Sequence, residues 1–111
     1  MKFVGIVTLL MASSFSFGAG STPSEQTGTI KSIQALNDGR TIVFMETARS
    51  EKPSCATYPY WFISNENSAA GKTQISILLA AHAAKRSVTI KGTGTCSRWS
   101  DGEDISSVEI L

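Results

Sequence analysis

Residues that hold metals and carry out redox chemistry are scarce in this 111-residue chain, which has one histidine and two cysteines. A single histidine leaves no plausible zinc-binding set. The cysteines, Cys55 and Cys96, are too far apart for a C-x-x-C redox motif. With nine glycines and three prolines, the chain is also neither collagenous nor of low complexity. We therefore expect no metal, no cofactor and no thiol oxidoreductase activity.

No hydrophobic run is long enough to span a bilayer. The longest apolar stretch covers residues 3–12, directly after Lys2, and small residues follow up to Gly20. This order of a positive residue, a short apolar segment and small residues is typical of a secretory signal peptide. We predict a signal over residues 1–20, cleaved after Gly18 or Gly20, and a secreted or periplasmic protein.

The remaining residues, 21–111, form one small domain with nine basic and nine acidic residues. A neutral domain lacks the positive surface with which proteins bind nucleic acid or anionic membranes. An even cysteine count in an exported chain favours a disulfide between Cys55 and Cys96. In the loop-entropy description, a bridge enclosing about forty residues stabilises the fold by about 4 kcal/mol.

The hydrophobic pattern predicts three strands, one helix and two further strands. Asn37-Asp38-Gly39 is a strong turn signal between the first two strands, and Pro59 places a bulge or an edge in the third. In the helix, Ser68 is the expected N-cap, and Ile75, Leu78 and Leu79 are expected to point inward. The predicted elements cover residues 27–36, 41–45, 57–64, 69–85, 87–91 and 105–110.

This order in a domain of about ninety residues predicts a mainly β fold with one helix, an OB-fold-like five-stranded Greek-key barrel. The same order also permits an open antiparallel sheet with one packed helix. In OB-folds the third and fifth strands lie side by side and parallel. A bridge between Cys55, before the third strand, and Cys96, before the fifth, is sensible in that arrangement.

Three motifs that suggest chemistry have simpler explanations. Residues 70–73 (AGKT) resemble the end of a phosphate-binding loop, but Glu66 stands where that motif needs its first glycine. His82 falls on the predicted apolar stripe and is expected in the core or at its boundary. The acidic run of Asp101, Glu103 and Asp104 does not match a calcium loop, so a solvated turn is expected.

Aromatic residues carry the strongest indication of binding. Alternation along the third strand puts Tyr58, Tyr60 and Phe62 on one face and Trp61 and Ile63 on the other. We expect Trp61 and Ile63 to face the core and the two tyrosines to lie on the outer surface of the sheet. OB-folds bind ligands on this face and through the adjoining loops, one of which carries Trp99. We therefore predict Tyr58, Tyr60 and Trp99 as ligand-binding residues, with core and boundary packing as the alternative.

Residues 59–63 (PYWFI), a helix and residues 86–90 (RSVTI) resemble the core of the B subunits of subtilase cytotoxin and pertussis-like toxins. Residues 77–81 (ILLAA) also resemble small exported bacterial proteins of similar layout. The resemblance implies an OB-fold, glycan binding and assembly as a ring of five. The cysteines are placed differently from those of the toxins, so no glycan-binding residue is carried over.

The leading hypothesis is an exported, non-enzymatic binding module that recognises a glycan or a partner protein. The second hypothesis is a periplasmic interaction or inhibitor protein specific for one enzyme or toxin. A small hydrolase comes third, because the sequence offers no serine or cysteine nucleophile that pairs with His82.

Overall fold

The computed structural model describes residues 24–111, so the predicted signal and its cleavage site lie outside the described residues. Over this range the chain forms one helix and a six-stranded mixed open sheet with strand order β1-β5-β6-β4-β3-β2. The predicted mainly β class is confirmed. The elements are β1 (Glu25–Gly28), β2 (Ile30–Ala35), β3 (Thr41–Met45), β4 (Trp61–Phe62), α1 (Ala69–Ala84), β5 (Val88–Gly92) and β6 (Glu103–Ile110).

The predicted hairpin is confirmed between β2 and β3, which pair antiparallel up to Ala35 and Thr41. Its turn contains Gly39, whose φ of +93° is a conformation that other residues rarely adopt. The Leu36 N–H donates to the carbonyl of Arg40 at 2.8 Å and closes the turn. The turn therefore fixes the register of the two strands and places Arg40 directly before β3.

The first predicted strand, 27–36, is divided in two, and this accounts for the sixth strand. β1 pairs antiparallel with β5, and after Thr29 the chain continues as β2, which pairs with β3. The predicted strand begins at residue 27 and so lacks the first half of β1, because Glu25 and Gln26 show no apolar alternation. Gln26 is nevertheless buried, since its side-chain oxygen accepts the indole N–H of Trp61 at 2.8 Å.

The third predicted strand, 57–64, is much shorter than expected, with only β4 in the sheet. Pro59 has no N–H to donate to a neighbouring strand, which limits pairing on its side. β4 pairs antiparallel with β3 and parallel with β6. The expected side-by-side, parallel arrangement of the third and last predicted strands is confirmed, and the sheet is mixed rather than wholly antiparallel.

The helix begins at the predicted N-cap, because the Ser68 hydroxyl accepts the Gly71 N–H at 3.0 Å. Gly71 packs against the preceding turn, where an added Cβ would overlap the Asn65 carbonyl oxygen. The AGKT segment is thus the first turn of a closely packed helix. The chain leaves the helix at Lys85 in the left-handed region, with φ 55°.

The inward face of the helix differs in part from the prediction. Leu78 is fully buried, but Leu79 is 52 % exposed. Successive residues lie about 100° apart round a helix, and the helix turns its Leu78 and Ala81 side toward the sheet. The prediction that Leu79 points inward is therefore wrong.

The hydrophobic core lies between the helix and the sheet. Trp61 and Ile63 are both fully buried in it, as predicted from the alternation along the third strand. The buried residues of this cluster are Ile30, Val43, Trp61, Ile63, Leu78, Ala81, Val88, Ile90 and Ile105.

Candidate binding site

Five aromatic side chains lie together on the outer face of the sheet, and we call them the aromatic surface: Phe44, Tyr58, Tyr60, Phe62 and Trp99. Tyr58 and Tyr60 stack nearly parallel, with ring centroids 5.5 Å apart and an interplanar angle of 9°. Tyr60 makes edge contacts with Phe44 at 5.7 Å and with Phe62 at 5.4 Å. The rings therefore form one continuous row, as expected for side chains two positions apart on an extended segment.

Trp99 enters this row from the β5–β6 loop, residues 93–102. One face of its ring stacks on Phe62 at 6.2 Å and 26°. The guanidinium carbon of Arg40 lies 3.9 Å from the centroid of the same ring, in a cation–π contact. The structure thus brings Tyr58, Tyr60 and Trp99 into one surface. Tyr58 and Trp99 lie at its two ends, and Tyr60 and Phe62 lie between them.

The exposure of these rings decides what they can offer to a ligand. Phe62 is buried, while Tyr58 is 52 % and Trp99 38 % exposed. Trp99 contacts both Phe62 and Arg40, whereas among residues 24–111 the aromatic and cation–π contacts of Tyr58 are limited to Tyr60. Tyr58 therefore provides the most open aromatic face of the row.

Gly102 allows the rings to lie close to the loop backbone. A Cβ at this position would lie 2.7 Å from both Tyr60 Cε2 and Phe62 Cδ2. Burial raises the pKa of the Tyr60 hydroxyl above its ordinary value, and the negative charge of Asp101 adds to that effect. The phenol of Tyr60 thus stays protonated at neutral pH and can both donate and accept a hydrogen bond.

The β5–β6 loop is tied to the rest of the domain by a disulfide and by buried carboxylates. Cys55 and Cys96 are bonded, with Cα atoms 6.0 Å apart, so the predicted bridge is confirmed. Glu103 and Asp104 are 0 % and 3 % exposed. The expectation of a solvated acidic turn is therefore wrong for these two residues, because the loop folds over them and supplies hydrogen-bond donors.

Glu66 connects the loop to the hairpin. One of its carboxylate oxygens accepts the Thr41 N–H at 2.7 Å, and the other lies 2.8 Å from Arg98 Nη2. Glu66 thus ties Arg98 to the start of β3, next to Arg40, whose guanidinium lies on Trp99. None of these three charged residues was predicted, since the contacts that place them beside the aromatic surface join positions distant in the chain.

A second charged group lies beneath the sheet. The side chains of Arg49 and Glu103 form an ion pair and are both fully buried. The Arg49 guanidinium also lies 3.6 Å from the Trp61 ring centroid, and Ser24 donates its hydroxyl to Glu103. Burial lowers the pKa of Arg49, although Glu103 opposes the shift. A buried charge that loses its partner has a large free-energy cost. Removal of either charged side chain should therefore destabilise the fold.

His82 stands apart from the aromatic surface. It is exposed rather than buried, and its Nδ1 lies 3.2 Å from the Ile30 carbonyl oxygen. It lines a cleft of about 540 Å³ with Lys31, Glu46 and Lys85. Within the described part of the chain there is no group of three or more side chains placed to hold a metal ion, and no helix there is long and apolar enough to cross a membrane.

Comparisons with protein-family models, with curated proteins and with solved structures find no match. The candidate site therefore stands on its own geometry: an exposed aromatic surface, arginines at its side and a loop fixed by a disulfide.

Proposed function

We propose that this chain is an exported, non-enzymatic binding module of OB-fold type, and that its aromatic surface binds a glycan. The geometry of the surface is the observation that carries the proposal. It offers the open face of Tyr58 for stacking on a sugar ring, and tyrosine hydroxyls and arginine donors for sugar oxygens. The Cys55–Cys96 disulfide is compatible with a secreted or periplasmic location, because disulfides persist in oxidising compartments.

The strand pairing supports the OB-type barrel. β1 and β2 are separated only by Thr29 and pair with opposite ends of the sheet, β1 with β5 and β2 with β3. If β1 and β2 act as one bent strand, the sheet closes on itself through that bend. The five resulting strands then follow the OB order, with the helix between the third and fourth.

Glycan binding is tested with a glycan array and the single variants Tyr58→Ala, Tyr60→Ala and Trp99→Ala. We expect Tyr58→Ala to abolish binding while thermal stability stays unchanged, because this ring is the most open. Leu79→Ala is the control, since Leu79 is equally exposed on the helix. A glycan bound by the wild type and by all three aromatic variants alike would contradict the proposed site.

A protein partner is the second candidate ligand. The position of the Arg40 guanidinium over the Trp99 ring favours it. Phe62 stacks on that ring and the Arg40 guanidinium covers one of its faces, so a sugar cannot stack on the covered face unless Arg40 moves. Tyrosine, tryptophan and arginine are also the residues enriched in protein interfaces. A pull-down from envelope extract with wild type and Tyr58→Ser decides this: a partner retained by the wild type and lost by the variant supports it, and equal retention by both opposes it.

Assembly as a ring of five follows from the resemblance to toxin B subunits and belongs to the same proposal. Analytical ultracentrifugation of the mature protein measures it. A five-fold mass favours the toxin-like form of the proposal, whereas a monomer counts against it.

A further inference from the structure

We propose that Asp104 is a positioning residue for the candidate binding site. Its buried carboxylate fixes the backbone directly before Trp99 and so holds that ring against Phe62. This inference rests on the proposed function for its importance to binding, but the positioning itself is measurable without any ligand.

The carboxylate accepts three hydrogen bonds from the β5–β6 loop. The Ser97 N–H donates to Oδ2 at 2.8 Å, the Arg98 N–H donates to Oδ1 at 3.0 Å, and the Thr95 hydroxyl donates to Oδ2 at 3.2 Å. The Asp104 backbone takes part as well, because its N–H donates to the Thr95 carbonyl at 3.0 Å and its carbonyl accepts the Thr93 N–H at 3.0 Å. Asp104 is thus hydrogen-bonded to four residues of the loop, at positions 93, 95, 97 and 98.

The other ties of the loop act at different points. The disulfide fixes Cys96, and the ion pair with Glu66 holds the end of the Arg98 side chain. The Gly102 N–H donates to the Trp99 carbonyl at 3.4 Å and so acts after residue 98. None of these ties bonds to the backbone N–H groups of residues 97 and 98. Asp104 is only 3 % exposed, so water cannot readily replace it as the acceptor. The direction in which the chain reaches Trp99 therefore depends on this carboxylate.

A carboxylate is the group that fits, because it has two acceptor oxygens and no donor. Asparagine has the same shape but only one acceptor oxygen. Whichever way its amide is turned, its NH₂ group faces one of the two backbone N–H groups at 2.8–3.0 Å. Asp104→Asn must therefore lose one of the two bonds while it keeps the size of the side chain.

Fluorine NMR of protein labelled with 5-fluorotryptophan measures whether the Trp99 ring has moved. The chain has only two tryptophans, the buried Trp61 and the partly exposed Trp99, so two signals are expected. We expect Asp104→Asn to move the Trp99 signal toward the position of free 5-fluorotryptophan and to leave the Trp61 signal in place. Asp101→Asn is the matched control, because it removes a charge from the same loop without removing an acceptor of residues 97 and 98. A Trp99 signal that stays in place in Asp104→Asn would overturn the proposal.

If Asp104→Asn unfolds the protein, both signals move, and Thr95→Val gives the reading instead. This variant keeps Asp104 but removes the hydroxyl bonded to Oδ2, the oxygen that also accepts the Ser97 N–H, so it loosens the carboxylate. A shift of the Trp99 signal alone supports the proposal, and an unmoved signal in this folded variant overturns it.

Glycan affinity then gives the functional consequence. Ordering a side chain on binding has a free-energy cost, so a loosened Trp99 should weaken glycan binding by about 3- to 10-fold, while Asp101→Asn binds like the wild type. Unchanged affinity despite a shifted Trp99 signal would overturn the role in binding and leave the positioning intact. If the wild type binds no glycan, the proposed function fails, and the NMR result still decides whether Asp104 positions Trp99.

Discussion

Adjacent leucines on the helix provide a matched test of how the helix packs on the sheet. Leu78 is fully buried and Leu79 is 52 % exposed. Truncating a buried leucine removes its burial and leaves a cavity, so Leu78→Ala should lower the free energy of unfolding by about 2–5 kcal/mol. Leu79→Ala should change it by about 0.5 kcal/mol or less, because an exposed side chain loses little and alanine is an equally good helix former.

Urea denaturation with the disulfide intact measures both variants. With an m-value of about 1–1.5 kcal/mol/M, a loss of about 3 kcal/mol lowers the midpoint by about 2–3 M for Leu78→Ala. The midpoint of Leu79→Ala should stay near that of the wild type. Equal losses in the two variants would mean that the helix is rotated from the position described. A large loss in Leu79→Ala alone would restore the inward orientation expected from the sequence.

Three further predictions concern the candidate site and its surroundings. In Tyr58→Phe, where Tyr60 is the only tyrosine, phenolate absorbance should titrate with a pKa above 10.0. The folded protein then keeps the Tyr60 proton at a pH at which the unfolded chain loses it. The free energy of unfolding should therefore fall as the pH rises beyond 10.0. Replacing Cys55 and Cys96 together by serine opens a link between residues 41 positions apart and should cost about 4 kcal/mol, read from urea midpoints. Gly102→Ala should push the tyrosine and phenylalanine rings off the loop, seen as a changed near-ultraviolet circular dichroism spectrum with unchanged far-ultraviolet signal; identical spectra would refute the close approach.

Elements with local signals were predictable from the sequence. The hairpin follows from the Asn37-Asp38-Gly39 turn, and the helix follows from an N-cap at Ser68 and a run of good helix formers. The division of the third strand into inward and outward residues also holds, because alternation is a property of every extended segment. These signals depend on neighbours in the chain, so no knowledge of the tertiary fold is needed to use them.

Features that depend on distant partners were not predictable. Arg49 and Glu103 look like members of a polar loop and an acidic turn, yet they form a buried pair 54 residues apart in sequence. The exposure of Leu79 likewise depends on which side of the helix meets the sheet. Leu79 follows Ile75 by four residues, so it lies only about 40° from Ile75 round the helix and falls within an apolar stripe about 100° wide.

One pairing in the sheet explains both the disulfide and the position of the candidate site. β4 and β6 run parallel, with Trp61 opposite Glu103. The segments that precede two parallel strands lie at the same end of the sheet. Tyr58 and Tyr60 precede β4, and Trp99 precedes β6, so the three rings meet although about forty residues separate the two segments. The same geometry brings together Cys55 and Cys96, which lie a few positions further upstream. The bridge therefore reinforces the pairing that assembles the aromatic surface.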